Sequence, residues 1–362
     1  MYDYCTEHDL LKQPRRTLVG SYRGDNILLA TPLLKWYLEK KLKVIDILLV
    51  IQFVPEKCFK PFAENVSNAR RAGDKDKSQS IISDSMKLLG NSSYGRLITN
   101  VSKFTTVEYV DDEKSATEFI NDKSFKSLKE LEKDLFEIEK RKKTVAWNLP
   151  NHVGFFVYQA AKLRMLEFYY DCLDYYLNRE DFEACQMDTD SIYIALSKPT
   201  LEQAVKPELR AHFYKHYHLW FPTQACEQHR QAFVDTKISN QAWDPLPCCV
   251  EAYKFHVRTP GLFKLEFSGL GIISLCSKTY YCYSETAEKI SCKGLQKHCN
   301  KLSKEDFHKV LTTRKSGLGT NLIFRSDNQG IKTISQSKSA LSFLYIKRQV
   351  LPDGRRTVPL EI

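Results

Sequence analysis

The spacing of apolar positions changes several times along the chain, and each change marks an element. Residues 33–41 are apolar at helical spacing. Residues 43–54 follow as a run rich in Val, Ile and Leu, which predicts a buried strand. Residues 63–77 are charged and helical in character, with Gly73 as the expected break, and 78–94 predict a second helix stopped by Gly95. Strand character returns over 99–110. In the strongly charged segment 113–143, Leu128, Leu131, Leu135 and Ile138 recur at intervals of 3, 4 and 3, which predicts a surface helix with a short heptad-like seam. After Pro150, residues 153–176 read as a long helix whose buried face is Met165, Tyr169, Cys172, Leu173 and Tyr176. Two short strands, 182–186 and 192–196, flank a polar hairpin tip. Beyond 251, strands and turns give way to a basic segment expected to be helical.

Composition narrows the class. The 362 residues are 43% hydrophobic and 12% aromatic, enough for sizeable cores, which excludes wholesale disorder and favours two or three modules. The net charge is +10, and residues 251–362 alone hold 19 Lys+Arg against 9 Asp+Glu, so the first 250 residues are neutral. That asymmetry points to an anionic partner, either nucleic acid or an acidic membrane surface, with a merely soluble basic face as the plainer alternative. The 11 cysteines contain no CxxC pair. Cys226 with His229, and the adjacent Cys248 and Cys249, come nearest to metal-ligand spacing, but neither supplies four ligands, so buried reduced thiols and a reducing compartment are expected. His212, His216 and His218 stand among aromatics, and His212 and His216 are one turn apart as helical metal ligands would be, but no carboxylate or Cys lies close in sequence to join them and a metal site is not expected. The start of the chain is polar, and 44–54 is too short to span a bilayer. A soluble intracellular chain is expected, nuclear or cytoplasmic, with no membrane partner.

Three blocks carry chemistry. In Met187-Asp188-Thr189-Asp190-Ser191, two carboxylates one residue apart at a tight hairpin can aim at one point, and a divalent cation is the usual reason to tolerate their repulsion. A calcium-binding loop fails by position, since Ile192, Tyr193 and Pro199 stand where its turn Gly and oxygen ligands belong, while a solvated turn is the ordinary alternative. In Lys87-Leu88-Leu89-Gly90-Asn91-Ser92-Ser93-Tyr94-Gly95, a helix places Lys87, Asn91 and Tyr94 on one face. Ile82, Met86 and Leu89 form a separate apolar stripe expected to hold that helix down. A lysine for phosphates and a ring for a base suit a nucleoside triphosphate. The third block, Lys278-Thr279-Tyr280, follows a strand expected over 271–276 and sets a cation and a ring two residues apart on one strand face.

Together these blocks resemble the family B DNA polymerases. The family's Lys-x3-Asn-Ser-x-Tyr-Gly helix motif is matched by Lys87, Asn91, Ser92, Tyr94 and Gly95. Its Tyr-x-Asp-Thr-Asp-Ser motif is matched by Asp188, Thr189, Asp190 and Ser191, with Gln186 in place of the Tyr, and its Lys-x-Tyr motif by Lys278 and Tyr280. The order is the family's, and the surrounding sequence is most similar to the protein-primed branch found in virus-like DNA transposons of the Maverick/Polinton kind.

The resemblance implies an α+β right-hand polymerase fold, with an incomplete palm built on an antiparallel sheet, helical fingers and a thumb-like basic end. Its expected divisions are a partial palm or connecting region at 1–60, fingers at 61–98, an insertion at 99–150, palm at 151–285 and a thumb-like region at 286–362. It implies Mg²⁺ in a two-metal site, with Asp190 as the direct ligand and Asp188 in support. Lys87 would contact the triphosphate of the incoming nucleotide, Asn91 and Tyr94 would shape the pocket beneath the nascent base pair, and Lys278 and Tyr280 would hold the primer strand. Lys289, Lys293, Lys297 and Lys301 recur every fourth residue and would line a helix face against a duplex, although Gly294 weakens that helix. The implied partners are primer–template DNA and deoxynucleoside triphosphates, with a terminal protein as a further primer in this branch. The family's upstream Asp-x-x-Ser-Leu-Tyr-Pro motif has no match between Met1 and Lys87; Asp9 and Asp46 both lack its surroundings. The 86 residues before Lys87 also leave no room for a proofreading exonuclease. The chain therefore reads as the carboxy-terminal portion of a polymerase with little activity alone, or as a catalytically dead, DNA-binding transposon remnant.

Overall fold

The computed structural model describes residues 26–341 except 298, 314, 328 and 329, together with the backbone of 348–350 and 357–359. The elements run in the order α1 (Thr31–Glu39), α2 (Lys60–Lys75), α3 (Ser80–Leu97), β1 (Thr105–Val110), α4 (Glu113–Ile120), β2 (Phe125–Glu132) and β3 (Leu135–Arg141). They continue with α5 (Asn151–Glu167), β4 (Phe182–Asp188), β5 (Ser191–Leu196), α6 (Arg210–Trp220), α7 (Arg230–Ile238) and α8 (Pro247–His256). The last are β6 (Gly271–Cys276), β7 (Thr279–Tyr283), β8 (Glu288–Ser291), α9 (Lys304–Thr313), β9 (Gly317–Asp327), β10 (Gly330–Leu341), β11 (Arg348–Val350) and β12 (Thr357–Pro359). Every strand pairing in the small sheets is antiparallel, so the fold class is α+β. None of the described helices is long and apolar enough to cross a membrane.

The chain divides into two compact units, the first built mainly from residues before 97 and from 153–268, the second from 97–152 and 269–345. The core of the first unit is aromatic. Past Glu167, α5 continues through a π-turn, Phe168–Leu173, into Asp174–Tyr176. The expected face of Met165, Tyr169, Cys172, Leu173 and Tyr176 is buried throughout. Its residues Tyr169, Cys172, Leu173 and Tyr176 pack with Phe213 and Tyr214 of α6, Phe233 and Val234 of α7, Phe182 of β4 and Cys249 of α8. Ala184, Ile192, Ile194 and Leu196 lay the β4–β5 hairpin against this cluster. Burying side chains of this size contributes about 1.5–3 kcal/mol each, which fixes the base of the hairpin and leaves its tip in solvent.

Helices α2 and α3 form an antiparallel hairpin whose glycines act differently from the expectation. Helix α2 runs unbroken through Gly73, and α3 runs through Gly95 to Leu97. A Cβ on Gly73 would lie 2.3 Å from Ser83 Cβ, and one on Gly90 would lie 3.0 Å from Val66 Cγ1. Both glycines are therefore contact points that let the two helix backbones approach. The break comes instead at Asp76, whose carboxylate accepts the Ser78 N–H at 2.9 Å and starts a short 3₁₀ turn. The expected Ile82–Met86–Leu89 stripe is not buried: Ile82 is 56% and Leu89 49% exposed. The packed face carries Ser83 and Gly90, because small residues permit the close crossing.

Two further expectations are corrected. Residues 43–57 form no strand and are largely exposed, with Ile45 at 83% and Val54 at 92%. An apolar run becomes a strand only beside a partner, and no strand among the described residues pairs with it. The charged segment 113–143 is one short helix followed by a β-hairpin. Asp112 caps α4 by accepting the Ser115 N–H at 2.7 Å. Strands β2 and β3 then join β1 in a sheet of order β1-β3-β2, with Leu128 opposite fully buried Ile138. Asp134 adopts φ 61° and closes the two-residue turn. The alternating charges that suggested a solvated helix serve as pairs across strands, Lys126 with Glu139 at 2.9 Å and Lys140 with Glu108 at 3.4 Å.

In the second unit, the sheet β6-β7-β8 packs with α9 around Leu275, Tyr281, Cys292, Leu295, Phe307, Val310 and Leu341. Strands β9 and β10 form a long hairpin.

Candidate active site

The acidic block occupies the tip of a hairpin with a two-residue loop. Asp188 pairs with Ser191, which leaves Thr189 and Asp190 as the loop. Thr189 has φ 41°, an uncommon region for a β-branched residue. The Thr189 hydroxyl donates to Asp188 Oδ1 at 3.2 Å, and the Ser191 hydroxyl donates to the Asp188 carbonyl at 3.3 Å. The Asp190 N–H also donates to that carbonyl. Asp188 is half-buried, while Asp190 is exposed at the apex. The register shifts between Ala184 and Gln186, so a bulge at Cys185 increases the local twist just before the acids. Gln186, in the Tyr position of the motif, is buried. Asp188, at the end of β4, and Asp190, in the loop, thus place two carboxylates two residues apart, of the hard-oxygen type that divalent cations such as Mg²⁺ take as ligands.

The lysine block lies on α3 as expected. Lys87 and Asn91 are exposed on the same helix face. The Tyr94 ring is half-buried and stands edge-on to Tyr158 of α5, with centroids 5.8 Å apart. Ser92 and Ser93 turn their hydroxyls back to the helix, donating to the Leu88 carbonyl at 2.7 Å and the Gly90 carbonyl at 3.1 Å. The turn end of the α2–α3 hairpin is held through α2. Arg258 donates two hydrogen bonds to Asp74, at 2.6 and 2.5 Å, and the Arg71 guanidinium lies 3.8 Å from the centre of the Phe255 ring. The hydrogen bond from Arg258 holds the Asp74 carboxyl below the usual carboxylate range.

The third block is placed differently from the expectation. Cys276 pairs with Thr279, so Lys278 sits in the two-residue turn between β6 and β7, with φ 64°, rather than on the strand. Thr279 and Tyr280 open β7, and Tyr280 is paired with Ser274 on one side and Ser291 on the other. Lys278 is exposed and Tyr280 half-buried. The lysine series beyond them is not a helix ridge. Lys289 belongs to β8, and Lys293, Lys297 and Lys301 occupy exposed turns and coil. Gly294, at φ 82°, stands where a helix would have to pass. The helix of this region begins only at Lys304.

Asp188 and Asp190 are thus joined on one hairpin, and Lys87, Asn91 and Tyr94 on one helix of the same unit; Lys278, Tyr280 and the lysine series belong to the second unit. Asp46 lies in the exposed segment and accepts the Ile47 N–H at 2.8 Å, and Asp9 lies outside the described residues.

A grouping that sequence spacing left in two halves comes together in the first unit. Cys226, His229, Cys248 and Cys249 bring their ligand atoms within 4.8 Å of one another. His229 hydrogen-bonds to the Cys226 thiol and draws its pKa down to about 6. Each half was legible, but their convergence depends on α7 folding back between them. On α6, His212 meets the Tyr176 hydroxyl at 3.0 Å and stacks on His216, with ring centroids 4.0 Å apart. The ten described cysteines are all free thiols. No family model, no curated protein and no solved structure matches the chain.

Proposed function

We propose that the chain is the palm, fingers and thumb-like portion of a protein-primed family B DNA polymerase, and that its chemistry is template-directed transfer of a nucleotide to a primer 3′-hydroxyl. The observation that carries this reading is the acidic hairpin tip. Asp190 lies in a two-residue loop beside a left-handed Thr189, and Asp188 ends the bulged strand before it, whose base is locked into an aromatic core. Left-handed residues also close the two-residue turns at Asp134 and Lys278, so what sets this tip apart is its pair of acids.

Asp190 at the apex and Asp188 beneath it would hold Mg²⁺. When bound, divalent cations supply activation of the attacking hydroxyl and neutralisation of the pyrophosphate leaving group. Lys87 presents a mobile cation to the triphosphate, Asn91 an amide on the same face, and Tyr94 a ring already braced by Tyr158. Lys278, Tyr280, Lys289, Lys293 and Lys297 contribute sequence-independent contacts to primer–template DNA. On this reading α2–α3 is the fingers element, β4–β5 belongs to the palm, and the basic end is thumb-like. One acidic hairpin supplies only one side of a two-metal site, so turnover by this chain alone is slow.

The alternative, a remnant that binds DNA without chemistry, rests on that same shortage of carboxylates. Nucleotide-dependent DNA binding separates the two. With a primer ended in a dideoxynucleotide, and Mg²⁺ present, the next complementary deoxynucleotide should slow DNA dissociation by about tenfold, worth ~1.4 kcal/mol. Mismatched nucleotides should have no such effect, and Lys87→Ala should abolish the difference. Equal dissociation with all four nucleotides would leave only the DNA-binding reading.

A further inference from the structure

We infer that Cys226, His229, Cys248 and Cys249 form a structural zinc site that clamps α8 to the loop before α7. The donor set comprises three thiols and one imidazole, the composition of closed structural zinc sites. Its dimensions match as well. A tetrahedron with Zn–S bonds of ~2.3 Å and a Zn–N bond of ~2.0–2.1 Å has edges of about 3.5–3.8 Å. Cys226 Sγ lies 3.8 Å from Cys248 Sγ and 3.9 Å from Cys249 Sγ. The His229 Nδ1 atom lies 3.6 Å from Cys248 Sγ and 3.7 Å from Cys249 Sγ. The Cys226–His229 edge is shorter, at 3.1 Å, the length of a direct thiol–imidazole contact, and all four donors lie within 4.8 Å of one another. Four donors from two separate stretches of chain thus cluster at the spacing of a metal's ligand shell.

The alternatives account for less of this arrangement. Inert core thiols describe Cys249, which is fully buried, but not exposed Cys248 or the imidazole facing all three sulfurs. A disulfide would use two of the sulfurs and leave the third and the histidine unexplained. With four protein ligands the set is closed, so the role is structural rather than catalytic.

The position indicates what the clamp supports. Cys248 and Cys249 stand in the first turn of α8, and the far end of that helix meets α2 through Phe255 and, just beyond it, Arg258. Zinc at one end of α8 therefore steadies the support of the hairpin that carries Lys87. The site itself stands on its donors and distances, whatever the chain's function.

Metal analysis of the purified full chain tests this directly. We expect about one zinc per chain. Replacement of zinc by Co²⁺ should give a tetrahedral spectrum with thiolate charge-transfer bands. Cys226→Ser and Cys248→Ser should each lose the metal, whereas Cys58→Ser and Cys276→Ser should keep it. His229→Cys should retain zinc and shift the cobalt spectrum towards four-sulfur coordination, a readout that does not depend on the loss variants folding. A metal-free wild-type chain that gives no cobalt–thiolate bands would overturn the assignment. So would zinc retained by Cys226→Ser, or a disulfide joining two of the three cysteines in the protein as isolated under reducing conditions.

Discussion

Thr189 carries the clearest single-residue signal. A β-branched side chain at φ 41° costs on the order of 1 kcal/mol, and the turn keeps it between two acids. Thr189→Asn should release most of that cost, since Asn tolerates left-handed backbone, and should raise stability by about 1 kcal/mol in urea titration. An unchanged or lowered midpoint would mean that the hydroxyl bond to Asp188 offsets the strain. At this scale the sequence was informative where chemistry and position coincide. Asp188 and Asp190 lie at the hairpin tip because the polar pair interrupts two apolar strands. Lys278 was harder to place, because a two-residue turn and a strand end differ only in backbone angles that a Lys does not advertise.

Among the elements, α5 and the β4–β5 hairpin were the most legible, because their apolar periods belong to surfaces buried in one dense core. The segment 113–143 was misleading because Lys and Glu alternate in solvated helices and in cross-strand pairs alike, and only the turn at Asp134 separates the two. The glycines of α2 and α3 misled for a different reason. Local propensity treats Gly as a stop, whereas Gly73 and Gly90 are set by a neighbouring helix distant in sequence. This yields a graded expectation. Gly73→Ala should destabilise the helical hairpin by about 1–3 kcal/mol through overpacking against Ser83, and Gly90→Ala by less, since Val66 stands further off. Gly95→Ala meets nothing within 4 Å and should be neutral or stabilising by up to about 1 kcal/mol. Local hydrogen exchange in α3 across the three variants would check the order, and equal effects would refute the packing role.

For the whole molecule, charge and fold divide the chain in related ways. Residues 269–345, the later stretch of the second unit, hold 12 Lys+Arg against 5 Asp+Glu. The acidic hairpin and the lysine helix belong instead to the first unit, within the electrically neutral first 250 residues. The charge asymmetry was readable from the sequence, but the lysine ridge does not form a helix, because the β8 pairing holds Lys289 in a strand and Gly294 turns the backbone that follows. The Cys/His grouping was legible only in halves, because the 18 residues between His229 and Cys248 must fold before the ligands meet. In the proposed function Asp190 is the residue that serves nucleotidyl transfer. Primer extension by the full chain with Mg²⁺, at enzyme in excess over primer, tests it most directly. We expect slow, template-directed addition that Asp190→Ala reduces at least about 100-fold while primer–template binding is unchanged. Extension equal in wild type and Asp190→Ala, or addition indifferent to the template base, would contradict it.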